Sequence, residues 1–216
     1  MQALILASTS RYRRELLARL GLPFTAVSPD FDETPVPGES AEDLATRLAI
    51  GKAEAVAAST ATSALADTEE SPQQPIIIGS DQVAACGGGR LLGKPGDANT
   101  AIEQLLSMVG QAVTFHTAVH ILRPGTPKPD QLASNSTAAS FTAVDQTTAL
   151  MRNLSREEIE RYVDQEPALD CAGSFKVEGL GISLFSAVNT SDPTGLIGLP
   201  LIATCRGLRE LGVRLP

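Results

Sequence analysis

The sequence predicts a mixed α/β fold with a long antiparallel portion in its second half. Three observations carry that expectation. Apolar runs at "MQALILAS" and "PIIIGSDQVAAC" (75–86) read as strands, the second as a central one buried on both faces. Stretches with helical periodicity separate and follow them. The segments "AVTFHTAVHIL" (112–122) and "STAASFTAVDQTTALM" (136–151) alternate like antiparallel neighbours, joined by the proline-rich "RPGTPKPDQLASN". At 216 residues, with no internal repeat, the chain fits a single domain or two intimately joined lobes.

The first strand leads into a helix starting near Arg11, with Leu16, Leu17 and Leu20 on one face. Arg13 projects onto the middle of that arc, and Ser10 and Arg14 lie within about 100° of it. A guanidinium left dry and unpaired on a core-facing stripe costs several kcal/mol, so a carboxylate or an anionic ligand is expected beside Arg13. The free N–H groups of a helix start also favour phosphate. An ordinary capped start, with Ser10 as cap, fits the same segment.

The stretch "PFTAVSPDFDETPVPGES" (23–40) reads as an edge strand and loop. Ser40, with Asp43 three residues on, caps a helix over about 41–58 that turns Leu44, Ala45, Leu48, Ala49 and Val56 inward. Lys52 falls in the same arc and either snorkels past the core or meets an anion. "STATSALADTEESPQQP" (59–75) is small, polar and acidic, and reads as a flexible exposed insertion. The central strand then delivers Asp81 and Gln82 at its mouth. Glycines 87–89 mark a turn, "RLLGKP" leads to Lys94, and residues 97–109 form a helix. Ser155 and Glu158 make a capping box for "REEIERYVDQE". "ALDCAGSFKVEGLGISLF" (168–185) is punctuated by glycine and ends in a strand. The last helix follows "GLIGLP", beginning near Pro200 and ending by Gly212.

An apolar fraction of 43% and a charged fraction of 19% belong to a globular protein. The formal net charge of −8 excludes extended non-specific binding to nucleic acid or an anionic membrane, so any phosphate site must be local. Cys86, Cys171 and Cys205 are odd in number and lack metal-ligand spacing, which points to free thiols in a reducing cytoplasm. His116 and His120 lie in a strand-like run, and no histidine-rich metal site is expected. "MQALILAS" lacks a basic n-region and is too short for a membrane span.

Arg13, Arg14, Lys52 and Lys94 thus sit at element ends or on otherwise apolar faces, while Glu33, Asp81 and Glu178 occupy loops or strand mouths. That mixture suits a substrate with several phosphates and a divalent cation: cations neutralise phosphate oxygens, and carboxylates hold a hard metal that keeps several waters. There is no Walker-type loop and no Gly-x-Ser-x-Gly elbow. Spacing alone reaches no further than an α/β protein with a phosphate ligand.

Five blocks go further. "LILASTSRYRRELLARLGLPFTAVSPDFDETP", "RLAIGKAEAV", "IIIGSDQV", "LLGKP" and "CAGSFKVEGLGISLF" resemble, in order and over nearly the whole chain, the Maf family of nucleoside triphosphate pyrophosphatases. The resemblance implies an ITPase-like elongated mixed sheet with helices, two lobes flanking a central cleft, and commonly a homodimer. It implies hydrolysis of the α–β phosphoanhydride to a nucleoside monophosphate and diphosphate with a divalent metal, Mg²⁺ or Mn²⁺. Carried over by position, Ser10, Arg13, Arg14, Lys52 and Lys94 would grip phosphates. Asp81 would be the catalytic carboxylate, as base or as holder of a metal-bound water, and Glu33 would share the metal with it. One departure is plain: the family's proline after Ser10 is Arg11 here.

Gln82, Glu178 and "DCAGSF" (170–175) resemble the branch acting on 7-methyl-GTP; the dTTP/UTP branch typically has threonine and glutamine in the first two places. N7-methylation makes guanine a cation, for which a carboxylate and an aromatic face form a receptor. Glu178 would supply the charge and Tyr12 the face, where that branch commonly carries tryptophan. Two rival readings are a dTTP/UTP pyrophosphatase and a nucleotide-binding regulator of septum formation.

Overall fold

The computed structural model describes residues 3–64, 74–125 and 139–216. Its elements, in order, are β1 (Leu4–Ala7), α1 (Arg11–Ala18), β2 (Thr25–Val27), α2 (Ala41–Ala64), β3 (Ile76–Cys86), β4 (Arg90–Leu92) and α3 (Ala98–Leu106). There follow β5 (Ala112–Arg123), β6 (Ala139–Met151), α4 (Arg156–Gln165), a 3₁₀ turn at Leu180–Leu184, β7 (Phe185–Asn189) and α5 (Leu201–Glu210).

The strands form one seven-stranded sheet ordered β2–β1–β3–β5–β6–β7, with β4 folded back on the end of β3. β1 runs parallel to both β2 and β3, whereas β5, β6 and β7 continue antiparallel. The mixed α/β expectation and the antiparallel second half are therefore met. β3 is buried along nearly its whole length, as a central strand covered on both faces must be, and its apolar run shows it. β2 is the expected edge strand.

Local signals explain most helix boundaries. Ser40 Oγ accepts from the Asp43 N–H at 3.1 Å, Asp97 Oδ1 accepts from the Thr100 N–H at 2.9 Å, and Ser155 with Glu158 forms the full reciprocal box. α5 follows Pro200, which makes no side-chain cap. Its first donors are met from a distance: Thr194 Oγ1 accepts from Leu201 N and Asp192 Oδ2 from Ile202 N.

Two boundaries differ from the sequence reading. α2 continues to Ala64, so the start of the expected insertion at 59–75 is helical; residues 65–73 lie outside those described. Alanine-rich composition sustains a helix even without an apolar stripe. α3 ends at Leu106 rather than 109, where Met108 N bonds to Leu105 O and the chain tightens. The proline-rich 126–138 segment also lies outside the described residues.

Two large apolar clusters anchor the molecule. One joins Leu105, Phe115, Ile159 and Phe175; the other joins Leu6, Leu16, Leu17, Ile78, Ile121 and Leu208. A cleft of about 720 Å³ is lined by Leu92, Phe115 and Phe175 from the first and by the start of α1, whose leucines belong to the second. That is the two-lobed arrangement around a cleft.

α2 lies so close on β3 that a Cβ at Gly79 would stand 2.1 Å from the carbonyl oxygen of Ala49. Backbone cannot yield there without moving the helix. Gly79→Ala is expected to cost about 1–3 kcal/mol in urea unfolding, with a concurrent fall in activity, because Lys52 on α2 and Asp81 on β3 lose their alignment. An unchanged unfolding midpoint would show that the helix has room to shift.

Candidate active site

The turn from β1 into α1 builds one wall of the cleft. Ser10 is the N-cap, its hydroxyl accepting from Arg13 N at 3.4 Å, while its own N–H donates to Ser8 Oγ at 3.2 Å. Arg13 has the partners its place on the apolar arc requires. Its Nε donates to Gly198 O at 2.9 Å, its Nη1 to Ser8 Oγ at 3.5 Å, and its Nη2 lies 3.6 Å from Asp81 Oδ1.

Lys52 does not snorkel. It is 4% exposed, and its Nζ donates to Asp81 Oδ1 at 2.6 Å and lies 2.9 Å from Glu33 Oε1. Asp81, 8% exposed, thus receives Lys52 and Arg13 on one oxygen. Its Oδ2 has no hydrogen-bond partner among the described residues. Buried Asp81 and the exposed Glu33 together balance the two cations.

Gln82, the next residue on β3, is fixed by its amide nitrogen, 3.0 Å from each of Thr117 Oγ1, Gly195 O and Leu196 O. Those contacts use the amide nitrogen and leave Oε1 without a hydrogen bond among the described residues, and Gln82 lines the cleft. Lys94, after β4, and Glu178, after Phe175, are exposed and line the same cleft. Arg14 does not. It is exposed and absent from the lining, the helical step of about 100° having carried it away from Arg13.

Tyr12 lines the cleft beneath Arg11, whose guanidinium carbon lies 4.7 Å from the ring centroid. The Tyr12 hydroxyl accepts from Arg11 Nη2 at 2.8 Å and donates to Asp170 Oδ2 at 3.4 Å. Burial, with Cys171 and Asp170 adjacent, pushes this phenol up to about 12, so the ring is neutral at ordinary pH. Burial likewise pushes Cys171 up to about 11 and keeps it a thiol. Ser174, at φ 65°, follows Gly173 at φ 80° in a tight turn. That turn drives Phe175 edge-on against Phe115 and Phe185 and leaves Asp170 and Cys171 at the cleft.

Among the described residues no group of three or more His, Cys, Asp and Glu side chains could hold a metal, and the three cysteines are free. His120 Nδ1 is paired with Thr142 Oγ1 at 2.7 Å, and burial lowers its pKa; His116 Nδ1 lies 3.7 Å from Glu42. Neither lines the cleft.

Sequence reading missed Ser8, the contacts of Arg11 and the carbonyls of Gly195, Leu196 and Gly198, and it gave Asp170 no role beyond its place in the "DCAGSF" block. Backbone acceptors have no residue-type signature. The only available hint was the paired glycines of "GLIGLP".

Comparison with known proteins shows what the chain as a whole is similar to. The family model described as Maf-like protein matches residues 3–211. A curated protein of Xanthomonas axonopodis pv. citri, named 7-methyl-GTP pyrophosphatase, is 49% identical over 216 residues, covering all of both chains. Relatives of the same name are 47% identical in Pseudomonas putida, again covering both chains fully, and 46% identical in Aromatoleum aromaticum, covering 99% of this chain and 97% of that one. Among solved structures, the Staphylococcus aureus Ham1 protein aligns with a TM-score of 0.40 and 16% identity, covering 70% of this chain and 73% of that one. With the matched blocks spanning almost every element described above, the chain belongs to the Maf family.

Proposed function

We propose that this protein is a nucleoside triphosphate pyrophosphatase that hydrolyses 7-methyl-GTP to 7-methyl-GMP and diphosphate. The observation that carries the reading is Asp81, buried beside the cleft, with one oxygen held by Lys52 and Arg13 and the other without a hydrogen bond among the described residues. In this reading the second oxygen orients a water toward the α-phosphorus. As that water's oxygen bonds to phosphorus and its proton passes to Asp81 or to solvent, the bond from the α-phosphorus to the bridging oxygen breaks and diphosphate leaves. Ser10, Arg13, Lys52 and Lys94 supply donors and positive charge to phosphate oxygens, supported by the N-terminus of α1.

Glu33 and Asp81 suit a divalent cation that arrives with the triphosphate. Both carboxylates lie within 3 Å of Lys52 Nζ and so face the same cation position, and a hard metal held by them would complete its shell with water and phosphate. Mg²⁺ or Mn²⁺ held there would neutralise phosphate charge and acidify water. Arg14 would act from outside the cleft, through the field at its rim.

The base reading rests on three residues. Tyr12 offers a neutral aromatic surface, Glu178 a carboxylate, and Gln82 Oε1 an acceptor for the N–H donors of guanine. Full-length likeness to proteins named 7-methyl-GTP pyrophosphatase supports the same choice. A cytoplasmic homodimer is the setting this reading assumes; among the described residues no helix is long and apolar enough to cross a membrane.

A panel of 7-methyl-GTP, GTP, dTTP and UTP, each with Mg²⁺ or Mn²⁺ and with chelator, tests it by diphosphate release. The expected result is at least a tenfold higher kcat/KM for 7-methyl-GTP than for the others, and none with chelator. Faster turnover of dTTP or UTP assigns the other branch. Binding without release from any of them assigns a nucleotide-binding regulator.

A further inference from the structure

Arg11 lies with its guanidinium 4.7 Å from the Tyr12 ring centroid and its Nη2 on the Tyr12 hydroxyl. That hydroxyl in turn donates to Asp170 Oδ2, and both Tyr12 and Asp170 line the cleft. A flat cation, an aromatic face and a carboxylate are therefore already assembled at the cleft wall. This is the receptor chemistry that a methylated, positively charged purine requires, and the chain's own arginine occupies it.

We infer that Asp170 is a specificity-determining residue for the cationic base, and that Arg11 is a built-in competitor which the base displaces from Tyr12. The inference rests on the 7-methyl-GTP reading and refines it. No hydrogen bond joins Glu178 to Tyr12 among the described residues, whereas the Tyr12 hydroxyl donates to Asp170 Oδ2, so the carboxylate coupled to the stacking ring is Asp170. Its attraction for positive charge distinguishes 7-methylguanine from guanine, whereas stacking on Tyr12 serves both. Arg11 is solvent-exposed and free to swing aside. While it stays, it repels an arriving cation and covers one face of the ring. Lys176, whose Nζ lies 3.9 Å from Asp170 Oδ1, is a second cation near that carboxylate and holds its other oxygen.

A cation–π contact at an exposed site corresponds to about a 2- to 5-fold change in binding. Arg11→Ala is expected to lower KM for 7-methyl-GTP by about that factor, with kcat unchanged and a smaller change for GTP. Asp170→Asn, at an exposed position that tolerates the amide, is expected to raise KM for 7-methyl-GTP by about 5-fold while GTP stays within twofold. The diagnostic is the ratio of kcat/KM for the two substrates, which rises in the first variant and falls in the second. Wild-type protein showing no preference for 7-methyl-GTP over GTP removes the functional reading itself. A wild-type preference that both variants leave within 1.5-fold keeps that reading and overturns this inference alone.

Discussion

Asp81→Asn should lower kcat for 7-methyl-GTP by roughly 10²–10⁴-fold while KM stays level or falls. The amide keeps the shape of the carboxylate, and its oxygen can still accept from Lys52, so the fold has little reason to change. What disappears is the negative charge and the second acceptor oxygen. Lys52 and Arg13 then face the cleft with less compensation, and a triphosphate polyanion binds at least as well as before. Loss in kcat without loss in binding separates chemistry from affinity. Steady-state kinetics with an equal-intensity far-UV CD spectrum checks it. A kcat within threefold of wild type would remove Asp81 from the chemical step.

Lys52→Met tests the same site from the other side, through stability. The methionine fills the volume of the aliphatic stem but removes the ammonium from a side chain only 5% exposed, beside an Asp81 side chain 11% exposed. Arg13, at 3.6 Å, is then the sole cation near a buried carboxylate. Breaking one partner of a buried pair costs about 3–5 kcal/mol, so the urea midpoint should fall accordingly. Adding Asp81→Leu should recover part of that loss, because no carboxylate is then left dry. A decrease below about 1 kcal/mol for the single variant would mean that water reaches Asp81 in its place.

Much of the fold was legible because its central parts obey local rules. β3 reads as one apolar run since both its faces are covered, and Ser40, Asp97 and Ser155 announce helices by side chains that cap the following N–H groups. Arg13 was conspicuous for a related reason. A charge on a leucine face signals a partner, and Asp81 proved to be that partner across 68 residues of chain. The extension of α2 to Ala64 was not legible, because its last turns carry neither stripe nor stop signal. Arg11 was opaque too. Its role depends on Tyr12 beside it and on Asp170, which only the turn at Gly173 and Ser174 brings to the same place.

The turn before α5 has a consequence for how this site tolerates change. Its carbonyls at Gly195, Leu196 and Gly198 grip Gln82 and Arg13, and the Gly198 oxygen also takes the Ser80 hydroxyl. Every amino acid carries the same carbonyl, so replacing Leu196 or Ile197 alters packing and leaves the grip in place. The glycines are another matter: a Cβ at Gly195 would meet Asp145 Oδ2 at 2.3 Å, and Gly198 sits at φ 131°. Conventional alanine scanning would therefore score most of this stretch as inert, although the aim of two cleft side chains depends on it. The mould is the path of the chain, and its spelling is nearly free except at the two letters that have no side chain.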